Sequence, residues 1–88
     1  MIDRVNLIEQ RLRSALEPER LDIVDESAAH ASHAGAREGG HFTVHIVSSA
    51  FVGKTPIQRH RLILTALADL MRREIHALSI RAQTPEEA

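Results

Sequence analysis

Six histidines stand in a chain of 88 residues that has no cysteine, and their neighbours differ enough to give them different prospects. Neutral imidazole is a common ligand of transition metals. Without thiolates, any such metal would be held by imidazole, carboxylate or a donor from another molecule. His30 and His33 lie in a run of Ala, Ser and Gly, His41 and His45 in a β-prone run, His60 between Arg59 and Arg61, and His76 just before Ala77-Leu78. His30-x-x-His33 lies outside any helix pattern and lacks the glutamate of a zinc-protease motif, which excludes that chemistry. Ser27, Ser48 and Ser49 have no elbow glycines, and no phosphate-loop pattern exists. Asp22, Asp25 and Glu26 look like strand-end solvation, so no enzyme is expected.

Composition narrows the partners. The length suits one modest core, so residues 1–88 are expected to form a single domain. Phe42 and Phe51 are the only aromatics, which leaves an aliphatic core and nearly excludes base stacking on exposed rings. A formal charge of −1 gives no global field toward phosphates, although a local basic patch can still form. Asp3, Arg4 and Asn6 interrupt the apolar residues near Met1, and no apolar run is long enough for a membrane span. A cytoplasmic protein without membrane contact is the expectation.

The elements that must position the histidines follow from periodicity. Val5, Ile8, Leu12, Ala15 and Leu16 recur at helical spacing, predicting a first helix from about Ile2 to Leu16, ended before Pro18. Leu21, Ile23 and Val24 predict a short first strand closing at Asp25-Glu26-Ser27. Residues 27–40, with Gly35, Gly39 and Gly40, predict a long flexible loop. Phe42, Val44 and Ile46 alternate with His41, Thr43 and His45, predicting a second strand over about His41 to Ser48. Phe51 is expected to plug the core at a short turn, and Gly53 to supply an unusual backbone angle. Thr55-Pro56 should then start a second helix running to about Glu74. Its expected apolar stripe is Ile57, Ile63, Leu64, Leu67, Leu70 and Met71, with Arg72 and Arg73 at the negative end of the dipole. A third strand is predicted from about Ile75 to Gln83, with one closing turn at Thr84-Pro85. The order α-β-β-α-β gives an α+β domain with helices on one face of a three-stranded sheet.

That order places the histidines. His60 falls on the apolar side of the second helix and is expected to be partly buried, whereas Arg59 and Arg61 point to either side, able to meet phosphate, carboxylate or a partner surface. His76 shares strand parity with Leu78 and Ile80, so its ring starts on the core side at a strand end that can reach solvent. An antiparallel hairpin followed by a helical crossover makes the second and third strands parallel neighbours. His41 and His76 then begin at one sheet edge, from which the loop bearing His30 and His33 also emerges. Such convergence suits a metal site. The competing reading is that the loop histidines are solvated and His45 decorates the exposed sheet face.

Leu21-x-Ile23-x-Asp25-Glu26-Ser27, His41-Phe42, Val47-Ser48, Phe51-x-Gly53, Arg59-His60-Arg61, His76-Ala77-Leu78 and Thr84-Pro85, in this order and spacing, resemble the BolA-like family over essentially the whole chain. The resemblance implies a class II KH-like fold and an adaptor that pairs with a monothiol glutaredoxin. It also implies a [2Fe–2S] cluster shared with the glutaredoxin cysteine and a bound glutathione, in cluster assembly, trafficking or iron-linked regulation. The isolated protein would carry no cofactor. The family's strand and loop ligands match His76 and His30; this chain departs by carrying His33 as well and by having His41 close by, which makes these two the alternates for the loop ligand. Two imidazoles in place of two thiolates raise a cluster's potential, as in Rieske-type centres. Gly53, Lys54, Arg59, His60 and Arg61 are the implied partner or nucleic-acid surface. A DNA-binding regulator using these residues with Arg72 and Arg73 is the alternative role, and only Gly53-Lys54-Thr55-Pro56 stands where a nucleic-acid-binding KH domain has its GXXG loop.

Overall fold

A computed structural model describes residues 3–27 and 39–88. Helix α1 spans Arg4–Leu16, capped by the Asp3 carboxylate, which accepts from the Asn6 amide at 3.1 Å. Strand β1 spans Arg20–Asp25 and pairs antiparallel with β2, Gly40–Val47. A 3-10 turn at Ser49–Phe51 leads to helix α2, Pro56–Ala66, and strand β3, Ile75–Gln83, lies parallel to β2. The sheet order is β1-β2-β3, the mixed topology expected of this element order. No helix among the described residues is long and apolar enough to cross a membrane.

The core lies where the helices meet one sheet face. Phe42, Val44 and Ile46 project from β2 toward Ile8 and Leu12 of α1 and Ile63 of α2, and Phe51 is fully buried among them. Gly53 has φ +75°, and Thr55 caps α2 by accepting from the Gln58 amide, with Pro56 at the helix start. These local features match the pattern of residues that calls for them.

The second helix is shorter than its periodicity predicts. It ends at Ala66, and Leu67 to Glu74 form a series of turns in which the Leu67 carbonyl accepts from both Leu70 and Met71, and the Leu70 carbonyl from Glu74 and Ile75. Leu67 and Leu70 remain buried through this reversal, which delivers Ile75 to the start of β3 beside Gly40. The irregular turns satisfy core burial and strand entry together, as a straight helix to Glu74 would not. Arg72 and Arg73 are therefore exposed turn residues and not a helix terminus. Ile57 also departs from the expected stripe. It sits in the first turn of α2, 65 % exposed, before the helix reaches the core.

Ser48 is fully buried at the end of β2. Its hydroxyl donates to the Leu16 carbonyl at 2.6 Å and accepts from the Ala50 amide at 3.1 Å, joining the end of α1 to the 3-10 turn. Removing it leaves both backbone groups short of a partner in the interior. Ser48→Ala should lower unfolding free energy by about 1–3 kcal/mol in a urea titration, whereas Ser49→Ala, at an exposed neighbour, should leave the midpoint nearly unchanged.

Candidate functional site

The register between β2 and β3 slips by one residue where the strands begin. Gly40 pairs with Ile75 and His41 with Ala77, so His76 is an extra residue in β3, a β-bulge. Downstream, Leu78, Ile80 and Ala82 face the same side as Phe42, Val44 and Ile46. Unbroken alternation would put His76 on that core side. The bulge corrects the expectation: Ile75 turns inward, 3 % exposed, and His76 is exposed. Its ring lies beside that of His41, with centroids 5.1 Å apart and planes tilted by 41°.

Several contacts hold this edge. The Ser27 hydroxyl accepts from the His41 amide at 3.1 Å, and the Glu26 amide donates to the His41 carbonyl at 2.8 Å. The Asp25 carboxylate accepts from the Ser27 amide at 2.9 Å, and hydrogen bonding to Ser27 holds its pKa below the ordinary value. Glu26 also accepts from the Thr43 hydroxyl. Gly39 and Gly40, expected to serve only a flexible loop, are instead buried, and Gly40 opens β2. A Cβ on Gly39 would stand 2.8 Å from the Arg73 carbonyl oxygen and 2.9 Å from the His76 nitrogen. The signal available in sequence was the Gly-Gly pair directly before an alternating strand, which marks close backbone approach as well as a loop.

His30 and His33 lie outside the described residues. The residues that bracket this segment in sequence, Ser27 and Gly39, both meet the His41–His76 edge. Among the described residues, no group of three or more His, Cys, Asp or Glu side chains is placed to hold a metal ion. His45 lies on the open sheet face as expected. It is half-buried there, its Nε2 donating to Gln83 Oε1 at 2.6 Å and its Nδ1 3.9 Å from Asp22 Oδ2.

At the other end of the sheet, Gly53, Lys54 and Arg61 line a groove of about 360 Å³ with Gln58, Leu62 and Thr65. Arg59 faces elsewhere. Its guanidinium makes two hydrogen bonds to the Glu87 carboxylate, at 2.6 and 3.2 Å, and others to the carbonyls of Lys54 and Ala82 at 3.1 and 3.2 Å. It clips α2 to the end of β3 and the C-terminal turn. His60 is exposed, which corrects its expected burial, because the first turns of α2 project past the core. It borders a second groove with Pro56, Arg59, Ile80 and Ala82. Arg59 bonds the carbonyl of Ala82, six residues along β3 from His76, so roughly 20 Å separates the clip from the imidazole edge.

The element order and the parallel crossover define an α+β domain with its helices on one face of a mixed three-stranded sheet, and its open face ends in two imidazoles. The family model for BolA-like proteins matches residues 12–87. BolA-like protein 1 of Mus musculus is 45 % identical over 80 residues, covering 91 % of this chain and 57 % of the mouse protein. The DNA-binding transcriptional regulator BolA of Escherichia coli is 40 % identical over 80 residues, covering 91 % of this chain and 74 % of that protein. The BolA domain of SufE1 from Arabidopsis thaliana matches with a TM-score of 0.87 at 43 % identity, over 100 % of this chain and 99 % of that one. The chain thus belongs to the BolA-like family, and spans little more than half the length of the mouse relative.

Two measurements test these assignments. Bonding to Arg59 first, then to the Thr84 amide, holds the Glu87 carboxyl down from 4.5 to about 2. The stability contributed by the clip is therefore fully present above the ordinary carboxylate range and is lost as pH falls through about 2. A carbon-13 NMR titration should find the Glu87 midpoint near 2, and Arg59→Gln should move it up toward 4.5. At the opposite end, Gly39→Ala must displace backbone, so it should shift the His76 amide resonance and lower stability. Gly53→Ala meets no atom within 4 Å and should cost only the backbone penalty of its positive φ, about 1 kcal/mol.

Proposed function

We propose that this chain is an adaptor that pairs with a monothiol glutaredoxin in the cytoplasm and supplies imidazole ligands to a shared [2Fe–2S] cluster, with no catalytic step of its own. The observation that carries the reading is the exposed His76, turned out of the core by a bulge and seated beside His41 at the edge that Ser27 and Gly39 also meet. Imidazole nitrogen is an established iron donor, so the chemistry of this edge fits the group. His76 would hold the iron, and His30, separated from Ser27 by at most about 11 Å of chain, would be the second ligand, with His33 and His41 as alternates. The glutaredoxin cysteine and glutathione thiol would complete the set. The cluster would supply one-electron chemistry at a potential raised by nitrogen ligation. The chain's own contribution is to fix one imidazole at a rigid strand start and leave its ring accessible to a partner.

A second reading is DNA binding, which draws on the relatives named as DNA-binding transcriptional regulators and on Lys54 and Arg61 lining one groove beside Gly53. Arg59 is committed to Glu87, which leaves Lys54 and Arg61 as the phosphate contacts in that groove, with exposed Arg72 and Arg73 further along the chain. Duplex affinity would then fall linearly with log salt and drop in Lys54→Ala and Arg61→Ala.

Anaerobic reconstitution with a monothiol glutaredoxin and glutathione tests the adaptor reading. The mixed complex should show absorption and circular dichroism distinct from the glutaredoxin homodimer, a difference abolished by His76→Ala and altered by His30→Ala. Spectra identical to the homodimer's for every variant would exclude histidine ligation.

A further inference from the structure

Strand β3 lies at one edge of the sheet, and among the described residues it pairs only with β2. Successive residues of a strand turn their N–H and C=O groups to opposite sides. The Gln83 carbonyl accepts from the Ser48 amide at 3.0 Å, on the β2 side, so Ala82, Ile80 and Leu78 direct their groups outward. Arg59 takes the Ala82 carbonyl at 3.2 Å, whereas the outward groups of Leu78 and Ile80 have no partner among the described residues. We infer that residues 77–81 pair antiparallel with the same residues of a second copy of this chain, joining the two sheets across a two-fold axis at Ser79.

A two-fold contact needs a patch that is its own complement, and this edge is one. With the axis at Ser79, Leu78 stands opposite Ile80 of the second copy and Ile80 opposite its Leu78, so every outward N–H and C=O of both residues gains a partner. Leu78 and Ile80 are half-buried on the helix side, and the contact sets aliphatic cross-strand pairs side by side there. On the open face Ser79 meets Ser79 of the second copy, one small hydroxyl against another, and Arg81 meets Ala77, so no like charges are opposed. The groove of about 300 Å³ lined by Pro56, Arg59, His60, Ile80 and Ala82 opens beside Ile80, where Leu78 of the second copy arrives.

The other edge of the sheet is guarded. Strand β1 carries Arg20, Asp22 and Asp25 among its 6 residues, charges that discourage strand addition, while residues 77–81 hold only the charge of Arg81 and no proline. The contact also has fixed ends. The bulge at His76 breaks the regular edge on one side, and the clip of Arg59 and Glu87 occupies it at Ala82 on the other. Residues 77–81 are few beside the roughly 20–30 residues a side of a standard interface, so the dimer is weak and forms by mass action at high concentration. The inference draws on neither the cluster reading nor the DNA reading.

The test uses the whole chain alone. As its concentration rises, the sedimentation coefficient should climb toward that of a dimer, and the Leu78 and Ile80 amides should exchange with solvent severalfold more slowly, with a smaller effect on the amides of α1. Ser79→Asp sets two carboxylates face to face on the axis and should abolish both changes. The chain has no cysteine, so Ser79→Cys introduces a single thiol that the dimer would bring within disulfide reach of its copy. In air it should cross-link about tenfold faster than Ser14→Cys, at an exposed position on α1. A monomer at every concentration would overturn the inference and leave the edge to an extended segment of another protein. A dimer that persists in Ser79→Asp, or equal cross-linking of the two cysteine variants, would overturn it as well. Sedimentation and amide exchange are read on unaltered protein, so they decide the matter even if a variant folds poorly.

Discussion

One inserted residue at the start of β3 governs the candidate site. Parity with Leu78 and Ile80 would bury His76 and expose Ile75, putting an imidazole in an aliphatic core and a large aliphatic group in water. The bulge reverses both placements at once, because Ile75 pairs with Gly40 and Ala77 with His41. Such a slip disturbs the hydrogen-bond ladder and requires close backbone approach. Gly39 and Gly40 permit it. Any Cβ on Gly40 would meet the Ser27 hydroxyl and the Phe42 ring at 2.5 and 2.6 Å, and one on Gly39 would strike the backbone of Arg73 and His76. Core packing and the exposure of His76 are thus consequences of one local geometry.

The far end of the sheet is closed by different means. Arg59 gathers Lys54, Ala82 and Glu87 around one guanidinium, and Ser48 joins the end of α1 to the turn that precedes α2. Little side-chain freedom remains there apart from Lys54, Arg61 and the exposed first turn of α2. A partner engaging the imidazole edge would leave these contacts intact, since the length of β3 lies between them. Division into a fixed end and an imidazole-bearing end lets a small domain present His76 at its surface without loosening its core. Salt bridges from Arg4 to Glu74 and Arg11 to Asp69 brace the turns that lead into the bulge.

Much of this was legible in the chain. Alternation in Phe42, Val44 and Ile46, the Thr55-Pro56 helix start and the hairpin followed by a helical crossover specify the sheet order and bring His41 and His76 to one edge. What escaped depends on contacts distant in sequence. Periodicity reads helix through Glu74 because the leucine spacing is maintained, and it does not register that β3 must start beside Gly40. Parity counts residues evenly and so cannot register the bulge. Arg59 resembles its neighbour Arg61 in sequence, yet the first is consumed by a carboxylate at the C-terminal end and the second borders an open groove. His30 and His33, the loop histidines, lie outside the described residues, so their part in the site rests on family resemblance and chain reach.

Nitrogen ligation of the cluster is the claim on which the functional account turns, and it can be read at the iron itself. The reduced mixed complex should be prepared with nitrogen-15 histidine in this chain alone and examined by pulsed electron paramagnetic resonance. The account predicts strong hyperfine coupling to imidazole nitrogen, lost from one of two couplings in His76→Ala. A spectrum free of nitrogen-15 coupling would contradict it and leave the cluster with sulfur ligands only.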